Sequence, residues 1–532
     1  MAEGTEKMEN ALSRGKDLDI KGATSRGKTL DGEFVEEGGV RIPTGSGAFY
    51  NPVQKFNRTM TIRILNEYIR QTGKESAKVL ECMSASGLRG IRYCKELSGK
   101  NHIVFNDISK SSCLDIVSNC KNNGIGAELD GVVENETCTV EVRNEDCRVL
   151  MLQNKGVFDV IDIDPFGTCA PFVDSAVESL ASGGMLCVTS TDTKVLCDKP
   201  PESSYKYYGS VSTNCSYSHE VAVRIILSYL SRIASKYGRE IEPVVSLSMD
   251  FFIRVFVIVR SGKSQSREVC LNNTMFYLCC CLNQAELPQF RKEDGYFKHA
   301  RGPSGVCRVC DRKMSLYGPF WNKPLHSREF VTNVIERISP EHIQEKTKGE
   351  KESAFTEAQI DRRIHGMLAL ALEEEETLFY YAIPYLAKMF TLPIPPLLSI
   401  VSFLEHNGYT TSLTHCKPNA IKTAAPLELM YLGVLEYFRV HQPAIYGAFA
   451  EKKAQYLAEI KDPGANPDTK GTLGPQTNEQ RVYLVFDRAM SYGTARSAVI
   501  DFTPTAACKK LTSKRYLKFQ DKSGLGWGPM KK

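Results

Sequence analysis

Five hundred and thirty-two residues exceed what a single hydrophobic core usually organises, about 100–200, so the chain predicts two or three domains. With 42% hydrophobic and 24% charged residues, and 67 basic side chains against 62 acidic ones, the composition is globular and the net charge of +5 names no partner. A small disulfide-stapled scaffold is excluded: the eighteen cysteines are scattered, with one triplet and one CxxC, and no charged, apolar, small-residue leader precedes them. That usage predicts an intracellular, reducing compartment with thiols buried or on metal. No window approaches the roughly 18–20 apolar residues of a spanning helix, and the best run, 251–259, is interrupted by Arg254, so no membrane partner is expected.

Residues 1–40 mix Lys, Arg, Glu, Asp and Gly with few large apolar side chains, too little burial to offset the entropy of ordering, and predict a mobile tail. Glu3, Glu6, Glu9 and Asp17 speak against a mitochondrial presequence, which is poor in acids. From 76 to 260 short apolar or β-branched runs alternate with helical spacing. The strands are expected at 77–82, 102–107, 139–146, 158–164 and 184–192, the helices at 109–122, 171–180 and 219–236. Such alternation makes a doubly wound parallel sheet of the α/β class. The run FFIRVFVIVR from Phe251 follows IEPVVSLSMD closely enough for a final antiparallel hairpin.

Ligands of doubly wound sheets bind beyond the carboxyl ends of the strands, where Glu81, Asp107, Asp146 and Asp164 fall. The first turn, ECMSASGLRG (81–90), is built of small residues that let a ligand approach the backbone, and it lacks the GxGxxG of dinucleotide binders. An acid such as Asp107 can accept both hydroxyls of a ribose. Singly, each acid is better explained as a helix cap or solvated strand end; four in succession favour a nucleoside site.

The fourth strand ends in Asp164-Pro165-Phe166-Gly167. An exocyclic amino group on a nucleobase is a poor nucleophile because its lone pair is delocalised into the ring. Two acceptors, here the Asp164 carboxylate and the Pro165 carbonyl, hold its hydrogens so that the nitrogen becomes pyramidal, and the Phe166 ring stacks on the base, a contact worth roughly 1–3 kcal/mol. Alone, the four letters would mark only a proline-stiffened turn over a core phenylalanine.

Longer motifs then carry a resemblance from about residue 48 to the C-terminus: FYNPVQKFNR (49–58), ASGLRGIRY (85–93), DIDPFGT (162–168), GPFWNKPLH (318–326), SLTHCKPNAIKTAAP (412–426) and the terminal GWGP. In these the chain resembles the tRNA (guanine(26)-N(2))-dimethyltransferases. The resemblance implies a Rossmann-like class I methyltransferase domain that uses S-adenosyl-L-methionine to place one or two methyls on the 2-amino group of guanine 26 in tRNA. It implies donor contacts from Arg58, Arg89, Asp107, Asp146 and Cys147, and a target base held by Asp164, Phe166 and Phe49. Many relatives carry NRD where this chain has Asn57-Arg58-Thr59, so a carboxylate is missing there.

Cys307-Arg308-Val309-Cys310 looks like one knuckle of a zinc site, because two thiolates three apart in a turn can share a tetrahedral metal. The resemblance supplies a second CxxC upstream, where this chain reads Tyr277-Leu278-Cys279-Cys280-Cys281-Leu282. Cys279 and Cys281 are the expected second pair; His299 as a substitute ligand, or a lost metal with simply buried cysteines, stays open.

Further on, a proline-rich turn (392–396), an apolar helix (397–406) and a polar extended segment follow the helix-then-hairpin order of a winged helix, and Glu373 to Glu376 read as a solvated helix face. Residues 509–532 hold eight Lys or Arg against Asp521 alone, interleaved with Tyr516, Phe519 and Trp527, the pattern of a phosphate-and-stacking surface. The expected organisation is a tail (1–40), a methyltransferase domain (41–268) and a smaller mixed α+β C-terminal tRNA-binding domain (269–532) with the cysteine cluster and the basic tail. No obligate protein partner is evident, and the expected compartment is the nucleus, with cytoplasm or mitochondrion as alternatives. An amino-methyltransferase for DNA adenine or protein glutamine, and a zinc-containing RNA-binding protein without catalysis, are the competing functions; the C-terminal motifs oppose the first and the intact Asp164 the second.

Deleting 509–532 is expected to raise the apparent tRNA dissociation constant and to flatten its log–log salt dependence by roughly 0.7–0.9 for each phosphate the shortened protein no longer neutralises. Filter-binding titrations over a salt series check this, and an unaltered slope would leave the tail a solvated terminus.

Overall fold

The computed structural model describes residues 34–43, 50–198, 200–338, 356–460, 477–506 and 508–509. A hairpin opens it: β1 (Phe34–Glu37) pairs antiparallel with β2 (Val40–Pro43). It takes up the last residues of the stretch expected to be a mobile tail, and residues 1–33 lie outside the description. Two inward apolar residues, Val40 and Ile42, and the buried Glu37 anchor it, too short a pattern to stand out from a polar sequence.

The central sheet holds β3 (Lys78–Glu81), β4 (Asn101–Asn106), β5 (Val132–Glu134), β6 (Cys138–Arg143), β7 (Phe158–Ile163), β8 (Leu180–Ser190), β9 (Arg239–Met249) and β10 (Phe252–Ser261), in the order β5-β6-β4-β3-β7-β8-β10-β9. Strands β6, β4, β3, β7 and β8 run parallel, β5 is an antiparallel edge, and β10 inserts antiparallel between β8 and β9. All five expected parallel strands are present, as is the terminal hairpin. The connections reverse direction at β3, with β4 on one side and β7 on the other, which opens a crevice at the carboxyl ends of these strands.

Helices α1 (Lys55–Thr72), α2 (Leu88–Glu96) and α3 (Lys110–Asn122) cover one face of the sheet, and α4 (Cys147–Gln153), α5 (Val173–Ser179) and α6 (Ser218–Lys236) cover the other. Burial on both faces is why β7 shows no alternation: all six of its residues, FDVIDI, are inside. The acids Asp159 and Asp162 within it therefore need partners.

Beyond the sheet, β11 (Asn273–Leu278), β12 (Gln284–Leu287) and β15 (Ser315–Trp321) form a small antiparallel sheet beside the hairpin β13 (Phe290–Glu293) and β14 (Tyr296–His299). Helices α7 (Arg328–Glu336) and α8 (Glu357–Glu373) return to α1, where Asp361 pairs with Arg63 at 3.0 Å and Arg337 with Glu67 at 3.0 Å. A second small sheet holds β16 (Tyr381–Ala382), β17 (Ser412–Leu413) and β18 (Ala420–Lys422); β16 precedes α9 (Leu397–His406), the antiparallel pair β17 and β18 follows it in the expected helix-then-hairpin order, and α10 (Leu427–His441) packs against α11 (Asn478–Ala495).

A buried polar cluster joins the two halves. Lys422 Nζ donates to Glu220 of α6 (3.3 Å) and to Glu374 (3.5 Å), Arg224 pairs with Glu220 (2.7 Å), and Glu374 accepts from the backbone N–H of His415 at 2.6 Å. This corrects the reading of Glu373 to Glu376 as a solvated helix face: α8 ends at Glu373, and Glu374 turns inward to charges brought by chain distant in sequence.

Candidate active site

The turn after β3 is shaped by two glycines. Gly87 caps α2 at φ 76°, and Gly90 lets the helix lie against the sheet, since a Cβ there would sit 2.3 Å from Phe105 and 2.7 Å from Glu81. Asp107, the residue after β4, receives the Ala85 N–H at 2.9 Å and the Ser109 N–H at 2.9 Å, so its carboxylate ties the β3 and β4 turns together. Asp146 lies three residues past β6 and caps α4, receiving the Arg148 N–H at 2.9 Å; its ion pair with the Arg148 guanidinium (2.6 Å) holds its carboxyl below the usual range. Cys147 begins that helix, buried. The capping explanation fits Asp146, whereas Asp107 and Glu81 do more than end a strand.

Asp164 follows directly on β7, and its carboxylate pairs with the Arg89 guanidinium of α2. Two residues on, the Phe166 ring stands 92% exposed. The turn is braced from β8 and beyond: Gly167 N–H donates to Thr191 Oγ1 (2.8 Å), the Thr191 N–H donates back to the Gly167 carbonyl (2.9 Å), and the Thr168 and Tyr208 hydroxyls lie 2.6 Å apart. The turn thus holds a carboxylate paired with Arg89 two residues from an exposed aromatic ring.

Arg89 also reaches Asp162 at 3.1 Å, and on the other side of Asp162 stands Arg254, its guanidinium nitrogens 2.8 and 3.1 Å from the two carboxylate oxygens. The Tyr93 hydroxyl donates to the same carboxylate at 2.6 Å. Burial alone would push Asp162 up, but Arg254 and Arg89 outweigh it and leave the carboxyl at about 2. For Glu81, paired across β3 and β7 with Asp162 in register, burial wins over the Arg89 attraction and pushes the carboxyl up to about 8. The Arg89 and Arg254 guanidiniums thus offset the ionised Asp162, while burial favours the protonated form of Glu81.

Arg58 forms a two-pronged pair with Glu37 of the hairpin (2.7 and 2.6 Å), and Arg92 joins the same carboxylate at 2.7 Å while donating to Thr59 Oγ1 at 3.0 Å. Thr59, which stands where the resemblance leads one to expect an acid, thus lies beside a carboxylate supplied by the hairpin. Phe49 lies outside the described residues, as do those of the basic tail from Lys510 onward. Sequence reasoning missed Glu37, Asp162 and Arg254. A charge inside a run that otherwise reads as fully buried was the available signal for the last two; Glu37 offered none.

In the second half, the Sγ atoms of Cys279, Cys281, Cys307 and Cys310 all lie within 4.8 Å of one another, with Cys279 and Cys310 3.3 Å apart and Cys281 and Cys307 3.5 Å apart. Zinc–sulfur bonds of ~2.3 Å put tetrahedral sulfurs about 3.8 Å apart, so the cluster has the dimensions of a four-thiolate zinc site. The Val309 N–H points at the Cys307 sulfur (3.3 Å), and the Tyr431 hydroxyl holds the Cys281 carbonyl at 2.7 Å. Cys280 is exposed beside Arg481, outside the four. The C-x-C spacing of Cys279 and Cys281 thus meets the CxxC, and His299, exposed on β14, is not among the four.

A sheet of five parallel strands closed by an antiparallel hairpin, with acids and an aspartate-proline turn at its switch point, defines a Rossmann-like class I methyltransferase. Residues 31–434 match the family described as N2,N2-dimethylguanosine tRNA methyltransferase. The chain is 32% identical over 439 residues to the tRNA (guanine(26)-N(2))-dimethyltransferase of Caenorhabditis elegans, covering 75% of this chain and 79% of that one. It is 31% identical over 467 residues to the mitochondrial tRNA (guanine(26)-N(2))-dimethyltransferase of Saccharomyces cerevisiae, covering 75% and 78%. In structure it is similar to Trm1 from Pyrococcus horikoshii, solved with S-adenosyl-L-methionine, with a TM-score of 0.62, 24% identity, and 75% of this chain and 99% of that chain covered. The chain belongs to the N2,N2-dimethylguanosine tRNA methyltransferase family.

Glu37 yields a pH prediction. Burial would raise its carboxyl, but Arg58 and Arg92 hold it at about 2, below the unfolded value of 4.5. Its contribution is therefore fully present above pH 4.5 and lost as pH falls towards 2. Glu37→Gln is expected to lower unfolding free energy at neutral pH by about 3 kcal/mol, with the gap to the parent closing on acidification; urea titrations across that range check it.

Proposed function

We propose that the chain transfers one or two methyl groups from S-adenosyl-L-methionine to the exocyclic 2-amino group of guanine 26 in tRNA. The observation that carries this reading is the Asp164 carboxylate, fixed by Arg89 directly beyond β7 and two residues from the exposed Phe166 ring, in a chain of this family. In the proposed reaction Asp164 and the Pro165 carbonyl accept the amino hydrogens, Phe166 and Phe49 clamp the guanine, and the nitrogen attacks the sulfonium methyl. The N–C bond forms as the C–S bond breaks, S-adenosylhomocysteine leaves, and the amine proton passes to Asp164 and then to solvent. The donor would lie over the 82–87 turn, with its ribose at Asp107 and its other contacts at Arg58, Arg89, Asp146 and Cys147. A second methyl needs only that the monomethylated base stay bound while the donor exchanges.

The boundaries 41–268 and 269–532 are proposed as catalytic domain and tRNA-binding domain, the hairpin 34–43 belonging with the first because Glu37 pairs with Arg58 and Arg92. Eighteen thiols fit a reducing compartment. The nucleus is the proposed site, and one relative carries a mitochondrial name. No helix among the described residues is long and apolar enough to cross a membrane.

Incubation with donor and an unmodified tRNA transcript bearing guanine at 26 is expected to yield N2-methyl- and N2,N2-dimethylguanosine by nucleoside mass spectrometry, and a transcript with adenine at 26 none. Methylation of DNA adenine in place of tRNA would overturn the reading.

Cys279, Cys281, Cys307 and Cys310 are proposed to hold one zinc in a structural role, since four protein sulfurs fill a tetrahedral metal and leave no position open for substrate. Elemental analysis of protein purified without chelator should find about one zinc per chain, and Cys307→Ser with Cys310→Ser should lose it and lower the melting temperature. Metal-free wild-type protein with an unchanged melting temperature would refute the site.

A further inference from the structure

We infer that Arg254 is a positioning residue for methyl transfer, acting through Asp162 and Arg89 to fix the orientation of the Asp164 carboxylate. The inference rests on the proposed role of Asp164 and extends it to Arg254 and Asp162, which are given no contact with donor or base, through Arg89, which is.

The geometry is a chain of four charges. Arg254 lies wholly inside the sheet on β10, 0% exposed, with Thr189 of β8 as its register partner. Its guanidinium is fixed by the two oxygens of Asp162, by Thr189 Oγ1 at 2.8 Å and by Thr61 Oγ1 of α1 at 2.9 Å. Asp162 is thereby oriented, and Tyr93 holds it from α2. Arg89 then bridges Asp162, deep in the cluster, to Asp164 at its rim. Asp164 is the member whose carboxylate is partly open, 23% exposed, and so the member able to meet a ligand.

A planar guanidinium held by one carboxylate presents its remaining nitrogens in fixed directions, which is what an acceptor for two amino hydrogens requires of its counter-ion. Without Arg254, the Asp162 charge keeps only Arg89 and the Tyr93 hydroxyl. Arg89 is then drawn inward, and Asp164 loses both its orientation and the cation that favours its ionised form. The other titratable groups facing this cluster are Glu81 on β3, Cys82 in the turn and Cys187 on β8, none of them a cation able to replace Arg254.

The test is turnover against pH with donor and tRNA saturating, so that weakened binding of either does not enter. Arg254→Met is expected to lower kcat by about 10- to 100-fold and to move the acidic limb of the profile to higher pH. Because a lone buried carboxylate can unfold the chain, the neutral pair Asp162→Asn with Arg254→Met is measured alongside. It should melt near the wild-type temperature yet turn over at least about 10-fold slower, since Arg89 has lost its second anchor. A pair variant that folds and turns over at the wild-type rate would show that the charge chain serves stability alone and would overturn the inference. A wild-type profile with no acidic limb would overturn the Asp164 reading itself, and this inference with it.

Discussion

Asp162 sits where water cannot solvate it, and two guanidiniums on opposite sides make its charge tolerable. An isolated carboxylate in that position would cost several kcal/mol or take up a proton. Flanked by Arg89 and Arg254 it stays ionised, and in doing so it pins α2 to β7 and β10 to both. The strands at the switch point and the helix that carries the site are thus registered by one buried charge network and not by apolar packing alone. The proposed catalytic carboxylate stands at the open end of that network.

The same logic recurs in two other buried clusters. Glu37 holds Arg58 and Arg92 and so brings a short hairpin against α1 and α2. Glu220, Glu374 and Lys422 join α6 to the C-terminal half. In each case a carboxylate from one segment neutralises cations from another far along the chain. Breaking one partner leaves an uncompensated buried charge, which makes such clusters stringent about register even where their net contribution to stability is modest.

These long-range pairings mark the boundary of what the sequence makes legible. The parallel strands, the final hairpin and the apolar helix before the second small hairpin follow from local periodicity, and each is found within a few residues of its expected limits. Asp164 and Phe166 follow from their place after a buried strand. Asp162, two residues before Asp164, and Arg254 show in the sequence only as charges that interrupt apolar runs. Local pattern shows that a buried charge needs a partner but cannot name it, because the partner is chosen by the order of strands. Cys279 and Cys281 are the converse case: their spacing departs from CxxC, and only the folded loop shows that both thiols reach the same point as Cys307 and Cys310.

The central claim is that an ionised Asp164 accepts the amino hydrogens of the target guanine. Single-turnover methyl transfer by Asp164→Asn, with tRNA and donor saturating, measures this directly, because asparagine keeps the size but replaces a charged acceptor with an amide that also donates. The account predicts a rate lower by about 100-fold or more, with the melting temperature little changed. Transfer at the wild-type rate would contradict it.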